Sequence, residues 1–298
     1  MLSSRISQHT MTSLAATSLA ALAGVGGLAA CASSSSGGTT TPATASAVGT
    51  NPCAKDALAV RTPGKLTIAT DKPAYTPWFV DDNPSNGKGF ESAVAYAVAN
   101  KLGFTPAEVA WTVASFNSVI APGPKNFDFD INEVSVTAER ATAVTFSDGY
   151  FDDNQALVVN KGTPIASATS IADLQQYKLG VQIGTTSFSF VQDVIKPTTQ
   201  PNVYDNSTDV IQALNNGQID GYVVDAPTAY VNVLIGQAKK GVVLGQFANT
   251  GEHFGLVFSL GNPLVSCVNQ AIASLKDDGT LDSLRSQWLA DLNYPVLS

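Results

Sequence analysis

From Lys65 onward the chain repeats one alternation. A short run of apolar and β-branched residues is followed by a stretch whose apolar positions fall three and four apart. Strands that alternate with helices in this way build sheets covered by helices, so the pattern constrains the body to an α/β fold. "KLTIAT" (65–70) reads as a first strand, and "GFESAVAYAVANKLGF" as the helix after it. In that helix Val94, Ala97, Val98 and Leu102 share one face, and Gly103 is the stop. "FDFDINEV" (127–134) reads as a second buried strand and "QALVVN" (155–160) as a third. Ser170 caps a short helix leading into "KLGVQIG" (178–184), a strand that ends in Gly184-Thr185-Thr186 before another helix. "VIQALNNGQIDGYVVD" is helix, glycine turn and strand, stopping at Asp225, and "FGLVFSL" is a further strand. Two amphipathic helices broken at Asp278-Gly279 close the pattern.

Ahead of this body lies a different kind of sequence. Arg5 precedes the apolar "MTSLAATSLAALAGVGGLAA", as in a signal peptide, and Leu28-Ala29-Ala30-Cys31 ends it. A Cys directly after Leu-Ala-Ala resembles the lipobox of bacterial lipoproteins. The resemblance implies a leader of residues 1–30, cleavage before Cys31, and a lipid on its thiol that anchors the mature chain outside the cytoplasmic membrane. The alternatives are a plain signal peptide cut at an A-x-A-like site and an uncleaved anchor. Gly24, Gly26 and Gly27 and the lack of flanking Lys or Arg weigh against the anchor. Residues 31–50, rich in Ser, Thr, Gly and Ala, have almost nothing to bury and read as a disordered tether. The body that remains, roughly 240 residues, suffices for one large domain or two lobes.

Charge and cysteine usage narrow the function. The net charge of −8 and the absence of a basic stripe exclude nucleic acid as a partner. With Cys31 assigned to the lipid, Cys53 and Cys267 remain, and an even remainder in an exported chain suggests a disulfide; two unrelated buried thiols are the alternative. His9 and His253 are the two histidines, so a zinc site or a His-dependent triad has no basis, and no metal or cofactor is expected.

The blocks of the body, in their order, resemble the solute-binding proteins of polar amino acid ABC importers, family 3. "GKLTIATDKPAYTPWFV" is similar to that family's first strand and aromatic-bearing loop. "DFDINEVSVTAERATAVTFSDGYF" is similar to its "ITxER…V.FS.PY" signature through Thr137, Glu139, Arg140, Phe146, Ser147, Asp148 and Tyr150. "GVQIGTTS", "ALNNGQIDGYVVDAPTAY" and "LKDDGTLDSLRSQWL" resemble the later blocks, so the likeness covers residues 64 to about 290. It implies a two-lobed periplasmic-binding-protein-like fold of type II, with the ligand in the inter-lobe cleft and a two-strand hinge. Lobe 1 would be 60–150 plus 255–298 and lobe 2 155–250, with crossings near 150–154 and 250–254. It further implies a monomer that hands an amino acid to a membrane permease.

The resemblance also assigns roles. Arg140 matches the residue that grips the ligand carboxylate, for which a guanidinium's paired donors are suited; a surface ion pair with Glu139 is the alternative. Asp225 matches the ammonium-binding aspartate, and is also placed to cap the helix starting at Ala226-Pro227. Thr185 and Thr186, at a strand-to-helix turn, and Ser135 match positions that hydrogen-bond the ligand. Tyr75 and Phe116 match the two aromatics that cover it, with Trp78 as an alternative to Tyr75. Asp71 matches a position that contacts polar ligand side chains, and otherwise initiates a turn before Lys72-Pro73. Asn132-Glu133 departs from the family's small residues. If Glu133 faces the ligand rather than pairing with Lys72, three acids oppose Arg140, which favours a basic or amide amino acid. Two other readings share the fold: a sensory lipoprotein, and a cyclohexadienyl-dehydratase-like enzyme with Glu133 or Glu252 as general acid.

Overall fold

The computed structural model describes residues 51–289 and 294–298, with the side chains of residues 248 and 249 left aside. Residues 1–50, with the leader, Cys31 and the tether, lie outside the described residues.

Strand β1 (Leu66–Thr70) is buried on both faces, as its unbroken apolar run requires. Helix α1 (Phe90–Lys101) packs Phe90, Val94 and Val98 against it. Strand β2 (Val109–Val113), which the sequence reading did not anticipate, pairs parallel to β1. Its residues are only half-buried at the sheet edge, so its apolar signal is weak. Helix α2 (Phe116–Ile120) follows. The expected strand 127–134 is shorter: only Phe129–Asp130 (β3) pairs, parallel to β1 on its other side. Beyond Asp130 the chain turns away, and Glu133 takes a left-handed φ of 52°.

The sheet then passes through two long antiparallel strands, β4 (Val144–Asn160) and β8 (Gly241–Ser259). The expected strands at 155–160 and in "FGLVFSL" are the ends of these. On their far side come α3 (Ile171–Leu174), β5 (Leu179–Gln182), α4 (Thr186–Phe190), β6 (Asn202–Tyr204), α5 (Ser207–Asn215), β7 (Gly221–Asp225) and α6 (Ala226–Leu234). Ser170 caps α3 as expected, by accepting from the Asp173 amide. Among the described residues eight strands run in the order β2-β1-β3-β8-β4-β7-β5-β6. Helices α7 (Val265–Asp277) and α8 (Thr280–Trp288) return to the first side, broken at Asp278-Gly279.

Separate cores make this a two-lobed fold. One gathers Trp78, Phe90, Phe129 and the inner faces of α1, α7 and α8; on the other side Val158, Leu214 and Tyr222 pack together, as do Leu157, Leu174 and Val181. Where β4 and β8 run between them the register slips, at Phe146/Gly149, Gly149/Phe151 and Asp153/Gln155. Such bulges bend a strand pair locally. Phe151 and Phe254 from this stretch pack edge-on against Trp78, with centroids 5.4 and 5.5 Å away. The ladder is thereby rooted in the first lobe.

Cys53 and Cys267 form a disulfide that ties the segment before β1 to α7. One expectation is corrected at the far end. Residues 294–298 do not stay with the first lobe: Val296 bridges to Gln246, the Leu297 amide donates to Gln246, and Leu297 is buried in the second lobe. Gly245 permits that approach, since a Cβ there would lie 2.7 Å from the Pro295 carbonyl oxygen. Among the described residues no helix is long and apolar enough to cross a membrane.

Candidate functional site

The parallel strands β1, β3, β5 and β7 all point their carboxyl ends at the gap between the lobes, where open α/β sheets place ligands. Each strand therefore delivers residues to one cavity just past its end. Asp71 follows β1, Glu133 and Ser135 follow β3, Thr185 and Thr186 follow β5, and Asp225 ends β7. Tyr75, Phe116 and Arg140 complete the set, so all nine sequence-predicted residues line one cavity of ≈ 80 Å³. Thr228 and Asn232 of α6 and Gln182, Ser187 and Ser207 also reach it, and no sequence signal marked them.

Arg140 is buried, and its Nη1 donates to the Ser135 carbonyl at 2.6 Å. Nη2 donates across the cleft to the Gly184 carbonyl at 2.9 Å, and the guanidinium lies 5.3 Å from the centroid of Phe116. Burial pulls its pKa down, against the pull of Asp225 and Glu252, but an arginine remains cationic. A surface pair with Glu139 is not what holds it. Arg140 is the only cationic side chain among the described lining residues.

Acids surround it. Asp225 occupies the N-cap position of α6, yet its carboxylate makes no cap bond. Instead Oδ1 accepts from Gln155 Nε2 at 2.7 Å and the group shares a hydrogen bond with Asp153. Burial, then repulsion from Glu252, pushes its pKa up to about 6. Burial and Asp225 hold Asp153 well above the carboxylate range. Glu133 lines the cavity; Lys72 pairs with Asp82 instead, at 3.1 Å. Its strained backbone is fixed from both ends, by its amide donating to Glu91 at 2.7 Å and by Thr228 donating to its Oε2 at 3.0 Å. Burial and Glu91 raise Glu133 well above its ordinary value. Behind it Glu91 accepts from Tyr150 and is raised by burial to about 7.

The remaining residues divide by what else they hold. Thr185 caps α4 by accepting from the Phe188 amide and donates to the Gln182 carbonyl, so its hydroxyl is already engaged. Thr186 and Ser135 approach each other at 3.4 Å across the cleft. Asp71 steadies the local chain through the Lys72 and Phe116 amides while still facing the cavity. Tyr75 lines the cavity and bonds Thr208 at 2.9 Å; Trp78 lies beneath, fully buried, and donates to Thr228 at 2.7 Å. Tyr75, not Trp78, is therefore the cavity aromatic on that side. Glu252 is not part of the lining; it accepts from Ser135 at 3.0 Å and from Gln155 at 3.2 Å from behind.

A water-restricted cavity between two lobes, with one cation, several acids and aromatic walls, defines a binding protein of the type II periplasmic-binding-protein-like fold. Residues 66–291 match the bacterial extracellular solute-binding proteins, family 3, and the chain belongs to that family. It is 30% identical over 209 residues to ABC transporter arginine-binding protein 1 of Escherichia coli (strain K12), which covers 67% of this chain and 81% of that protein. Among solved structures it is similar to an ancestral arginine-binding protein bound to arginine, at 32% identity and TM-score 0.65, covering 76% of this chain and 99% of the other. The same kind of ancestral protein bound to glutamine matches at 31% identity and TM-score 0.66, covering 77% and 100%.

Proposed function

We propose that this protein is an extracytoplasmic lipoprotein that captures a polar amino acid, basic or amide in its side chain, and delivers it to an ABC permease. The observation that carries the reading is the charge layout of the cavity. Arg140 is its cation, and Asp71, Glu133 and Asp225 are its acids. A zwitterion supplies a carboxylate for the guanidinium and an ammonium for Asp225, and unmatched acids then call for a further cation or amide donor. Thr186 and Ser135 complete the polar contacts, and Tyr75 and Phe116 exclude water from them.

In this reading lobe 1 comprises 60–150 plus 255–289, lobe 2 comprises 155–250 with 294–298, and the strands between them are the hinge. Closing the lobes on the ligand gives the permease a loaded face to recognise. Cys31 carries the lipid that keeps the protein, as a monomer, at the outer side of the cell membrane. Similarity to arginine-binding proteins supports the basic preference, and the glutamine-bound relative supports the amide alternative.

The test is isothermal titration of unfolded-and-refolded protein against the twenty amino acids, ornithine and citrulline. Micromolar or tighter binding of arginine, lysine, ornithine or glutamine, lost by at least roughly 100-fold in Arg140→Ala, is the expected outcome. Exclusive binding of an acidic amino acid would overturn the role given to Glu133, and silence across the panel would overturn the function.

A further inference from the structure

Behind the cavity lies a chain of hydrogen bonds whose direction is fixed. It starts at Ser187, whose hydroxyl donates to Gln155 Oε1 at 2.6 Å. That bond sets the amide's orientation and turns Nε2 toward two carboxylates, Asp225 Oδ1 at 2.7 Å and Glu252 Oε2 at 3.2 Å. Glu252 Oε2 also accepts the hydroxyl hydrogen of Ser135 at 3.0 Å. Gln155, Ser187 and Ser135 are buried, and Glu252 is half-buried.

The backbone places the members of this chain. Gln155 of β4 stands opposite Asp225 of β7 in register, which brings the two side chains together. Asp153 of β4 stands opposite Glu252 of β8, and the Ser135 segment pairs with β8 next to it, through a Ser135–Phe254 bridge and the Val136 amide on the His253 carbonyl. Glu252 thus sits where both lobes meet the connecting strands.

The consequence is chemical. A serine hydroxyl has one hydrogen and two lone pairs. With the hydrogen of Ser135 held by Glu252, only a lone pair remains for the cavity. Asp225 offers nothing but acceptor oxygens once Gln155 and Asp153 have taken their share. We propose that Glu252 is a positioning residue that makes Ser135 a pure acceptor, and so sets the site's preference for an α-ammonium over an α-hydroxyl or α-hydrogen. Gln155 acts differently on Asp225: by donating to Oδ1 it favours the ionised form, which only accepts. Neither residue touches the ligand. The inference rests on the amino-acid-binding reading above.

The test compares two ligand pairs: L-arginine with 5-guanidinopentanoate, and L-glutamine with glutaramate. The second member of each pair lacks only the α-ammonium. Titration is run on wild type, Glu252→Met, which removes the acceptor, and Glu252→Gln, which keeps an oxygen for Ser135. Glu252→Met is expected to lose roughly 10–100-fold for the amino acid and less than about 3-fold for its desamino partner, while Glu252→Gln keeps the wild-type ratio within about 3-fold. Equal loss for both members of a pair would overturn the proposal, and so would Glu252→Gln falling as far as Glu252→Met, which would assign the effect to charge alone. Near-UV circular dichroism checks folding. If Glu252→Met does not fold, Ser135→Ala must show the same selective loss or the proposal fails. A wild type that binds neither amino acid would instead overturn the substrate reading, a separate outcome.

Discussion

Replacing Asp225 by Asn should weaken ligand binding and strengthen the unliganded fold at the same time. The carboxylate is buried beside Asp153 and Glu252, and its pKa rises from an ordinary 3.8 to about 6. In the unfolded chain the group ionises near 3.8. Between those values the folded state holds the extra proton, so stability falls as pH climbs from about 4 to about 6 and stays lower above that. The shift corresponds to about 3 kcal/mol lost by pH 8. Asn keeps an oxygen for Gln155 but never ionises, so it recovers up to that amount. At about 2–4 °C per kcal/mol for a body of this size, the melting temperature should rise by up to roughly 6–12 °C at pH 8 and hardly change at pH 4. Binding moves the other way. Losing a charge-assisted hydrogen bond to an ammonium costs about 1.5–3 kcal/mol, or roughly 10–150-fold in Kd. Differential scanning calorimetry at the two pH values, with titration of the best ligand at pH 8, measures both. A melting temperature unchanged or lower at pH 8 would refute the view of Asp225 as a strained charge waiting for a cation.

Affinity should fall on acidification, by up to tenfold per pH unit below about 6, because an ammonium must displace the proton that Asp225 then carries; calorimetric titration from pH 5 to 8 reads this, and a flat profile contradicts it. The disulfide closes a sequence separation of 214 residues, so the chain-entropy model gives it up to about 5 kcal/mol. Cys53→Ser with Cys267→Ser should therefore melt well below wild type, and an unchanged melting temperature would show that native-state packing against α7 does its work.

Much of the fold could be read in one dimension because its causes are local. The apolar run at 66–70, the Ser170 cap and the Asp278-Gly279 break each act through neighbours a few residues away. The nine candidate site residues were legible through the blocks that resemble the family, and six of them, Asp71, Glu133, Ser135, Thr185, Thr186 and Asp225, stand at or just past strand ends. What periodicity could not mark was a half-buried edge strand such as β2, or how soon β3 would stop pairing.

By itself the sequence determined the α/β class, the candidate ligand-gripping residues and the acidic bias around Arg140. Tertiary structure decided what each of those residues is free to do. It removed Thr185's hydroxyl into a helix cap, released Asp225 from one, and chose Tyr75 over Trp78 for the cavity. It brought Ser135 to Glu252, 117 positions away, and Trp78 to Thr228, 150 positions away. The physical reason is that a strand end fixes where a side chain stands, while its hydrogen-bond polarity and pKa depend on partners that only folding brings within 3 Å.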